Sequence, residues 1–255
     1  MRASPETNLG SDAISRIGQA YPDRVEVRGR DLAADLMGRL SFTDYFHLLL
    51  TGEEPSEEQR FFLDLLLVAI AEHGLMPTNI AARMTLAADP GSLQGAVAAG
   101  ILGAGPVVLG TSEACARLLE ETRTSGRDPV VVVREIRSSG GKLPGFGHPV
   151  HKPLDPRAER ILELADARDV SGPHVALARR FRDAAAEVWE KPLTMNVSMP
   201  IAAVLLDLGF PANAAKAVPI LARTAGLLAH LAEELENPLG FYLARAAEEA
   251  VEYER

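Results

Sequence analysis

The chain has 255 residues, with 26 lysines and arginines against 35 aspartates and glutamates, a formal net charge of −9. Hydrophobic residues make up 47% and charged residues 24%, which is typical of a globular protein and excludes wholesale disorder. The acidic balance disfavours a nucleic-acid-binding protein, and the single cysteine, Cys115, excludes an internal disulfide and a multi-cysteine zinc site.

The start of the chain, Met1 to Glu6, lacks the apolar stretch of a secretory signal. No apolar run reaches the roughly 18 to 20 residues that a membrane-spanning helix needs. The longest, Gly95–Gly110, is interrupted by several glycines. We therefore expect a cytoplasmic protein that binds neither membranes nor nucleic acids.

The predicted elements are mostly helices, and the first exception is a hairpin near Val25–Gly29, where an alternating pattern meets a glycine. Ser56–Gln59 forms a capping box ahead of the apolar stretch Phe61–Ile70, which predicts a helix. Asp128 and Pro129 are typical of a helix start, so we predict a helix over the valines that follow, despite their strand propensity. Asp155 and Pro156 likewise predict the start of a helix over Ala158–Ala167. Apolar spacing predicts further helices over Val175–Trp189 and Ala215–Leu235. The pattern indicates an all-α fold.

Two glycine- and proline-rich segments interrupt this pattern, Gly103–Gly110 and Gly140–Pro153. The first fits an interhelical turn. The second is long for a connection, and loops of its length are more often functional. It holds two of the six histidines, and Arg157 follows in the first turn of the next helix, where a guanidinium can bind a carboxylate. The segment predicts a pocket for a carboxylate-bearing substrate beside a phosphorylated carrier.

Residues Gly145–Ala158 closely resemble the G-[FY]-G-H-x-V-x-K-x-x-D-P-R motif of the citrate synthase superfamily. Four other stretches resemble family segments in the same order, namely Val27–Leu32, Leu48–Pro55, His73–Arg83 and Ala222–His230. The resemblance covers about residues 25 to 240. Because the chain is compact, it is most similar to the citryl-CoA lyase-like members rather than to the longer citrate synthases.

The resemblance implies a mostly helical homodimer with a large and a small domain around a cleft. On this basis we expect the large domain over residues 1–112 and 221–255, and the small domain over residues 113–220. A coenzyme A thioester is the expected substrate, together with an oxoacid such as oxaloacetate. No metal is expected: His148 and His151 could pair at one, but the sequence offers no obvious third ligand.

Residue roles carry over from the family where the residues match. His148 would polarise the carbonyl or alkoxide oxygen at the carbon where the C–C bond forms or breaks. The groups expected to hold carboxylates are His73, Arg157 and Arg223. The residues expected to bind coenzyme A are Lys142, Leu143, Pro144, Gly145, Phe146 and Gly147.

Two catalytic positions depart from the family pattern. Val108 stands where a G-P-x-H-G-G segment supplies a histidine for the enol oxygen, and Ser198 stands where an N-V-D segment supplies an aspartate base. Serine is a poor general base near neutral pH, so Glu113 is the best spare candidate. The leading hypothesis is a citryl-CoA lyase-like enzyme. The alternatives are a catalytically silent homologue or partner subunit, and an enzyme of the same scaffold with another acyl-CoA.

Overall fold

The computed structural model describes residues 14–105 and 107–254, which pack as two compact units. The N-terminal unit extends to Arg60 and the C-terminal unit begins at Phe61. None of the helices within the described ranges combines the length and hydrophobicity needed to cross a membrane.

The N-terminal unit begins with a small antiparallel sheet, whose strands are β1 (Gly18–Ala20), β2 (Val25–Val27) and β3 (Arg30–Asp31). In register, Gly18 faces Val27 across the β1–β2 pair, and Val27 faces Arg30 across the β2–β3 pair. The predicted hairpin is confirmed, and it is extended by a further strand. A short π-helical turn, Leu32–Leu36, follows the sheet.

Two helices complete this unit and lead out of it, α1 (Phe42–Thr51) and α2 (Glu57–Ala71). The Gln59 amide N–H donates to the Ser56 hydroxyl at 3.2 Å, and the Ser56 amide donates to the Gln59 side chain at 2.8 Å. The predicted capping box is therefore confirmed.

The C-terminal unit is predominantly helical. Its helices are α3 (Pro77–Ala88), α4 (Leu93–Leu102), α5 (Thr111–Ser125), α6 (Pro129–Ser138), α7 (Pro156–Ala167), α8 (Pro173–Trp189), α9 (Ser198–Asp207), α10 (Ala217–Glu236) and α11 (Gly240–Ala250). Helix α6 confirms that Asp128 and Pro129 start a helix, since the Asp128 carboxylate accepts the Val130 amide at 2.9 Å. Local capping thus prevails over the strand propensity of the valines. The mostly helical fold is confirmed.

Helix α9 occupies the core of this unit, and its residues from Ser198 to Leu206 are all buried. Helices α5, α7 and α8 pack around it, while α3 and α4 pack with α10. Helix α10 also lies close to the end of α2, as shown by Gly226, where a Cβ would clash with the Ala71 carbonyl oxygen. This glycine lets α10 bring Arg223 next to the residues that follow α2. The division into large and small domains stays a prediction.

Candidate active site

The loop between α6 and α7 is fixed to the segment that precedes α9. Phe146 and Met195 form an isolated antiparallel bridge. The Gly147 amide donates to the Thr194 carbonyl at 2.7 Å, and the Asn196 amide donates to the Gly145 carbonyl at 2.8 Å. These bonds position the glycine-rich motif beside the buried N-terminus of α9.

Gly145 is required by both conformation and space. Its φ of +78° lies in the left-handed region that side chains disfavour, and a Cβ there would lie 2.8 Å from the Cys115 Sγ and the Met199 Cβ. Gly147 also has a positive φ, +87°, but a Cβ at that position meets no atom within 4 Å. Substitutions at these two positions therefore distinguish the effect of steric crowding from that of backbone strain.

Replacing Gly145 with alanine should lower the free energy of unfolding by about 2–5 kcal/mol, combining left-handed strain with overpacking. The Gly147→Ala variant should lose only about 1–2 kcal/mol, since strain acts there alone. Urea unfolding of both variants measures the difference. Equal losses would show that the contact with Cys115 and Met199 does not restrict position 145.

His148 is held in one tautomer by the loop backbone. Its Nδ1 accepts the amide N–H groups of Val150 at 3.1 Å and His151 at 2.9 Å. Because Nδ1 accepts twice, the proton of the neutral ring lies on Nε2. The Arg157 Nη2 lies 3.5 Å from that Nε2, too far to compete with the two backbone bonds. Burial and the neighbouring His151 lower the pKa of His148, so the ring is a neutral donor.

Arg157 is anchored by Asp155, which is fully buried and caps α7 as predicted. The Asp155 carboxylate accepts Arg157 Nε at 3.0 Å and Nη2 at 2.8 Å, and also the Val197 amide at 3.1 Å. Burial raises the pKa of Asp155, but the bonds and charge of Arg157 outweigh it and keep the pKa below its usual range. One carboxylate thus orients the guanidinium and ties it to the segment before α9.

Arg223 is a buried cation whose bonds are incomplete. Its Nη1 donates to the Asn79 side chain at 3.1 Å and its Nη2 to the Ile70 carbonyl at 3.3 Å, while its buried Nε has no partner among the described residues. Burial lowers the pKa of Arg223; the negative charge of Glu72 raises it, and the positive charge of Arg157 lowers it further. A buried charge is costly when its hydrogen bonds are incomplete, so an anion bound here would relieve that cost.

His73 follows α2 directly and is supported from behind. Glu72 accepts the Gly74 amide at 2.5 Å and lies 3.0 Å from His230 Nε2, and His230 Nδ1 in turn accepts Arg83 Nε at 3.0 Å. His230 therefore braces the turn that carries His73.

A basic cavity of about 230 Å³ brings the predicted carboxylate ligands together. His73, His148, Arg157 and Arg223 all line it, and among the described residues of its lining none is acidic. Burial, followed by the charge of Arg157, lowers the pKa of His73 as well. The cavity is therefore electropositive through its arginines and suited to a compound with more than one carboxylate.

A second cavity of about 510 Å³, the loop cavity, adjoins the first. Its lining includes every residue predicted to bind coenzyme A, that is Lys142, Leu143, Pro144, Gly145, Phe146 and Gly147. The two cavities share a set of boundary residues: Val107, Thr111, Gly147, His148, Pro149 and Asn196. A ligand in the loop cavity can therefore meet a ligand in the basic cavity at His148.

The two positions that the sequence interpretation expects to depart from the family pattern lie in this site. Val108 and Ser198 both line the basic cavity, and Ser198 starts α9. Pro106 of the same segment lies outside the described residues. Glu113 lines neither cavity: its carboxylate accepts Arg117 at 2.6 Å, with Lys216 at 3.9 Å. The structure thus does not bring Glu113 together with the other predicted catalytic residues.

Three residues make supporting contacts that the sequence interpretation did not predict. Asn79 orients Arg223, Asp155 orients Arg157, and Asn196 donates to the Gly147 carbonyl at 3.0 Å. Asn196 also accepts the Ser198 amide at 3.1 Å. The sequence context could have indicated two of them. Asn79 lies in the first turn of a helix that begins with proline, and Asn196 begins the Asn-Val-Ser stretch.

The family described as "Citrate synthase, C-terminal domain" matches residues 10–245 of this chain. The chain belongs to the citrate synthase family. A citrate synthase of Heyndrickxia coagulans is 32% identical over 205 residues, which are 78% of this chain and 53% of that protein. The chain spans about half the length of the curated relatives it matches.

Two solved structures of the same fold extend the comparison. Citryl-CoA lyase from Hydrogenobacter thermophilus is 32% identical with a TM-score of 0.86, over 96% of this chain and 95% of that one. ATP citrate lyase from Methanothrix soehngenii, solved with citrate and coenzyme A, has a TM-score of 0.80 at 19% identity, over 98% of this chain and 43% of that one. The second likeness shows the fold alone, whereas the first covers nearly the whole of both chains.

Proposed function

We propose that this protein cleaves or forms the C–C bond between an acetyl-CoA-type thioester and an oxoacid such as oxaloacetate, as a citryl-CoA lyase-like enzyme. The observation that carries the proposal is the junction of a basic cavity and the loop cavity at His148. The full-length likeness to citryl-CoA lyase from Hydrogenobacter thermophilus supports it.

The basic cavity provides the binding half of this chemistry. Arg157 and Arg223 would bind carboxylates of the citryl group or the oxoacid, and His73 would donate a further hydrogen bond. The unpartnered Nε of Arg223 supports this role, because a carboxylate would complete its bonding. The Lys142–Gly147 stretch in the loop cavity would bind coenzyme A.

His148 would stabilise the charge that develops on an oxygen of the substrate during the reaction. In the cleavage direction a base would take the proton of the tertiary hydroxyl, and the C–C bond would break as the C=O bond of the oxoacid forms. The C–C electrons would pass to the thioester as an enolate, and the protonated base would return its proton to the enolate carbon. The oxygen that carries charge during this step needs a donor, and the Nε2–H of neutral His148 would supply it. Holding Nδ1 with two backbone amides prepares that donor before substrate arrives.

The direct test follows oxaloacetate release from citryl-CoA by the purified protein. We expect turnover above background together with saturable binding of coenzyme A. Binding of coenzyme A without any turnover would contradict the enzymatic proposal and favour a silent homologue or a partner subunit. The placement of Val108 and Ser198 in the cavity lining is the observation that favours this alternative. A panel of other acyl-CoA esters and oxoacids then distinguishes an enzyme with a different substrate.

Introducing the residues expected from the family tests whether Val108 and Ser198 make this protein a silent homologue. The Val108→His and Ser198→Asp double variant should raise condensation of acetyl-CoA with oxaloacetate roughly tenfold or more, because it adds an enol-oxygen donor and a carboxylate base. An aspartate at the N-terminus of α9 is also favoured by the helix dipole. Thiol release measures the rate, and Val108→Leu with Ser198→Thr is the matched control. An inert double variant that still binds coenzyme A would show that these positions do not limit the reaction.

We also propose that the protein is a cytoplasmic homodimer, as the family resemblance implies. Large apolar side chains on α10 and α11 remain exposed, among them Leu235, Phe241 and Tyr242, which supports burial of this face by a second copy. Light scattering after gel filtration measures the mass. A monomer at micromolar concentration would contradict this part of the proposal.

A further inference from the structure

Three histidines form a cluster at the edge of the basic cavity. The His151 ring stacks on His148 with centroids 4.4 Å apart, and its Nε2 lies 3.1 Å from the Nε2 of His73. His151 is not part of the cavity lining, whereas the other two rings are. The family motif leaves position 151 unspecified, so its role must be argued from these contacts.

A metal ion is one reading of this cluster, because a nitrogen of each ring lies within 4.8 Å of the others. The tautomer of His148 opposes it. With Nδ1 accepting two backbone amides, Nε2 carries the proton and has no lone pair to offer. The Arg157 guanidinium, 3.5 Å from the same nitrogen, would also repel a cation. Of the cluster found among the described residues, His73 and His151 then remain as ligands, which is too few for a protein metal site.

The contact between His73 and His151 demands a different account. Two Nε2 atoms at 3.1 Å form a hydrogen bond only if one carries a proton and the other offers a lone pair. If both rings carried protons on Nε2, the two donors would oppose each other. The tautomer of one ring therefore determines the tautomer of the other, and a single proton lies between them.

We propose that His151 is a positioning residue of the basic cavity, which shares one proton with His73 and thereby determines which nitrogen of His73 donates to a bound carboxylate. This inference rests on the proposed function of the cavity. When His151 donates through Nε2, neutral His73 accepts there and carries its own proton on Nδ1. That nitrogen is then the donor for a substrate carboxylate.

The charges around the pair make its protonation depend on the ligand. His148 stacks on His151, and Arg157, Asp155 and Arg223 act on His73. Burial and the positive charge of Arg157 lower the pKa of His73 in the free protein, so a neutral His73 shares the proton between the two Nε2 atoms with His151. A bound polycarboxylate offsets that positive charge and favours protonation of His73, whose two ring nitrogens would then both carry protons. Binding should therefore take up protons and become tighter as the pH falls toward the ordinary histidine pKa of about 6.5.

Long-range ¹H–¹⁵N spectra of the histidine rings test the shared proton in the ligand-free protein. We expect complementary tautomers for His73 and His151 in the wild type, and a change of the His73 tautomer in His151→Phe, which keeps a stacking ring without a donor. His151→Gln keeps an amide donor near the place of Nε2 and should retain the wild-type His73 spectrum. Val150→Ala, in the same loop and exposed, is the matched control.

Citrate binding, titrated by calorimetry in two buffers of different ionisation enthalpy, supplies the second readout. The wild type and Val150→Ala should take up protons on binding, and His151→Phe should take up fewer and bind several-fold more weakly. An unchanged His73 spectrum and unchanged proton uptake in His151→Phe would overturn the inference. A wild type with complementary tautomers that fails to bind citrate would instead contradict the proposed function, while supporting the shared proton.

Discussion

Replacing Arg223 with glutamine should weaken citrate binding about 30-fold or more. Loss of one partner from a buried, hydrogen-bonded charge pair costs about 2–5 kcal/mol, and every 1.4 kcal/mol is tenfold in affinity. Arg223 is a buried cation that lines the basic cavity, and its Nε has no partner within the part of the chain that the structure describes. Calorimetric titration of the wild type and variant with citrate measures the change.

Two control variants distinguish the loss of a ligand contact at Arg223 from the general effect of removing a positive charge. Arg160→Gln removes an arginine whose ion pair with Glu163 is exposed, and it should bind citrate as the wild type does. Arg223→Lys keeps the charge but lacks the planar guanidinium that spans the directions of Asn79, Ile70 and a ligand, so an intermediate loss is expected. If Arg223→Gln folds normally and binds citrate with wild-type affinity, the basic cavity is not the carboxylate site.

Replacing His148 with asparagine should reduce kcat for citryl-CoA cleavage by about 10²- to 10³-fold, the typical effect of losing one oxyanion donor. Asparagine places its polar group near the position of Nδ1 and leaves no donor at Nε2. The two backbone amides that bond His148 in the wild type can keep an acceptor, so the loop should retain its conformation. Steady-state rates and coenzyme A affinity together measure the effect.

His148→Gln is the matched comparison, because its amide nitrogen lies near the position of Nε2. It should retain more activity than His148→Asn, since a donor for the charged oxygen remains. Equal activity of the two variants would show that a donor at Nε2 is not needed. A large loss of coenzyme A affinity in both would indicate that the loop had rearranged instead.

Local signals in the sequence predicted much of the fold. Asp128 with Pro129 and Asp155 with Pro156 start helices because each carboxylate accepts an amide of the first turn. The valines after Pro129 favour a strand by propensity, yet the helix cap and the buried faces of Val132 and Val133 determine the outcome. The motif from Gly145 to Ala158 likewise located the loop. Two of its positions, Gly145 and Gly147, have positive φ angles that only glycine readily adopts.

The contacts that complete the site join residues far apart in the chain and could not be read locally. His73 and His151 are 78 positions apart, and Arg223 and Asn79 are 144 apart. Spacing within the loop suggested a histidine pair at 148 and 151 but could not supply the third ring. Glu113 shows the opposite case: it is close in sequence to Val108, yet the turn of α5 directs its carboxylate to Arg117.

We propose that one polycarboxylate and one coenzyme A bind side by side and meet at His148. Calorimetric titration with citrate, in the presence and in the absence of saturating coenzyme A, tests it most directly. We predict one citrate per chain in both conditions, with coenzyme A bound to a separate site. Failure of citrate to bind in either condition, or strict competition between citrate and coenzyme A for one site, would contradict the account.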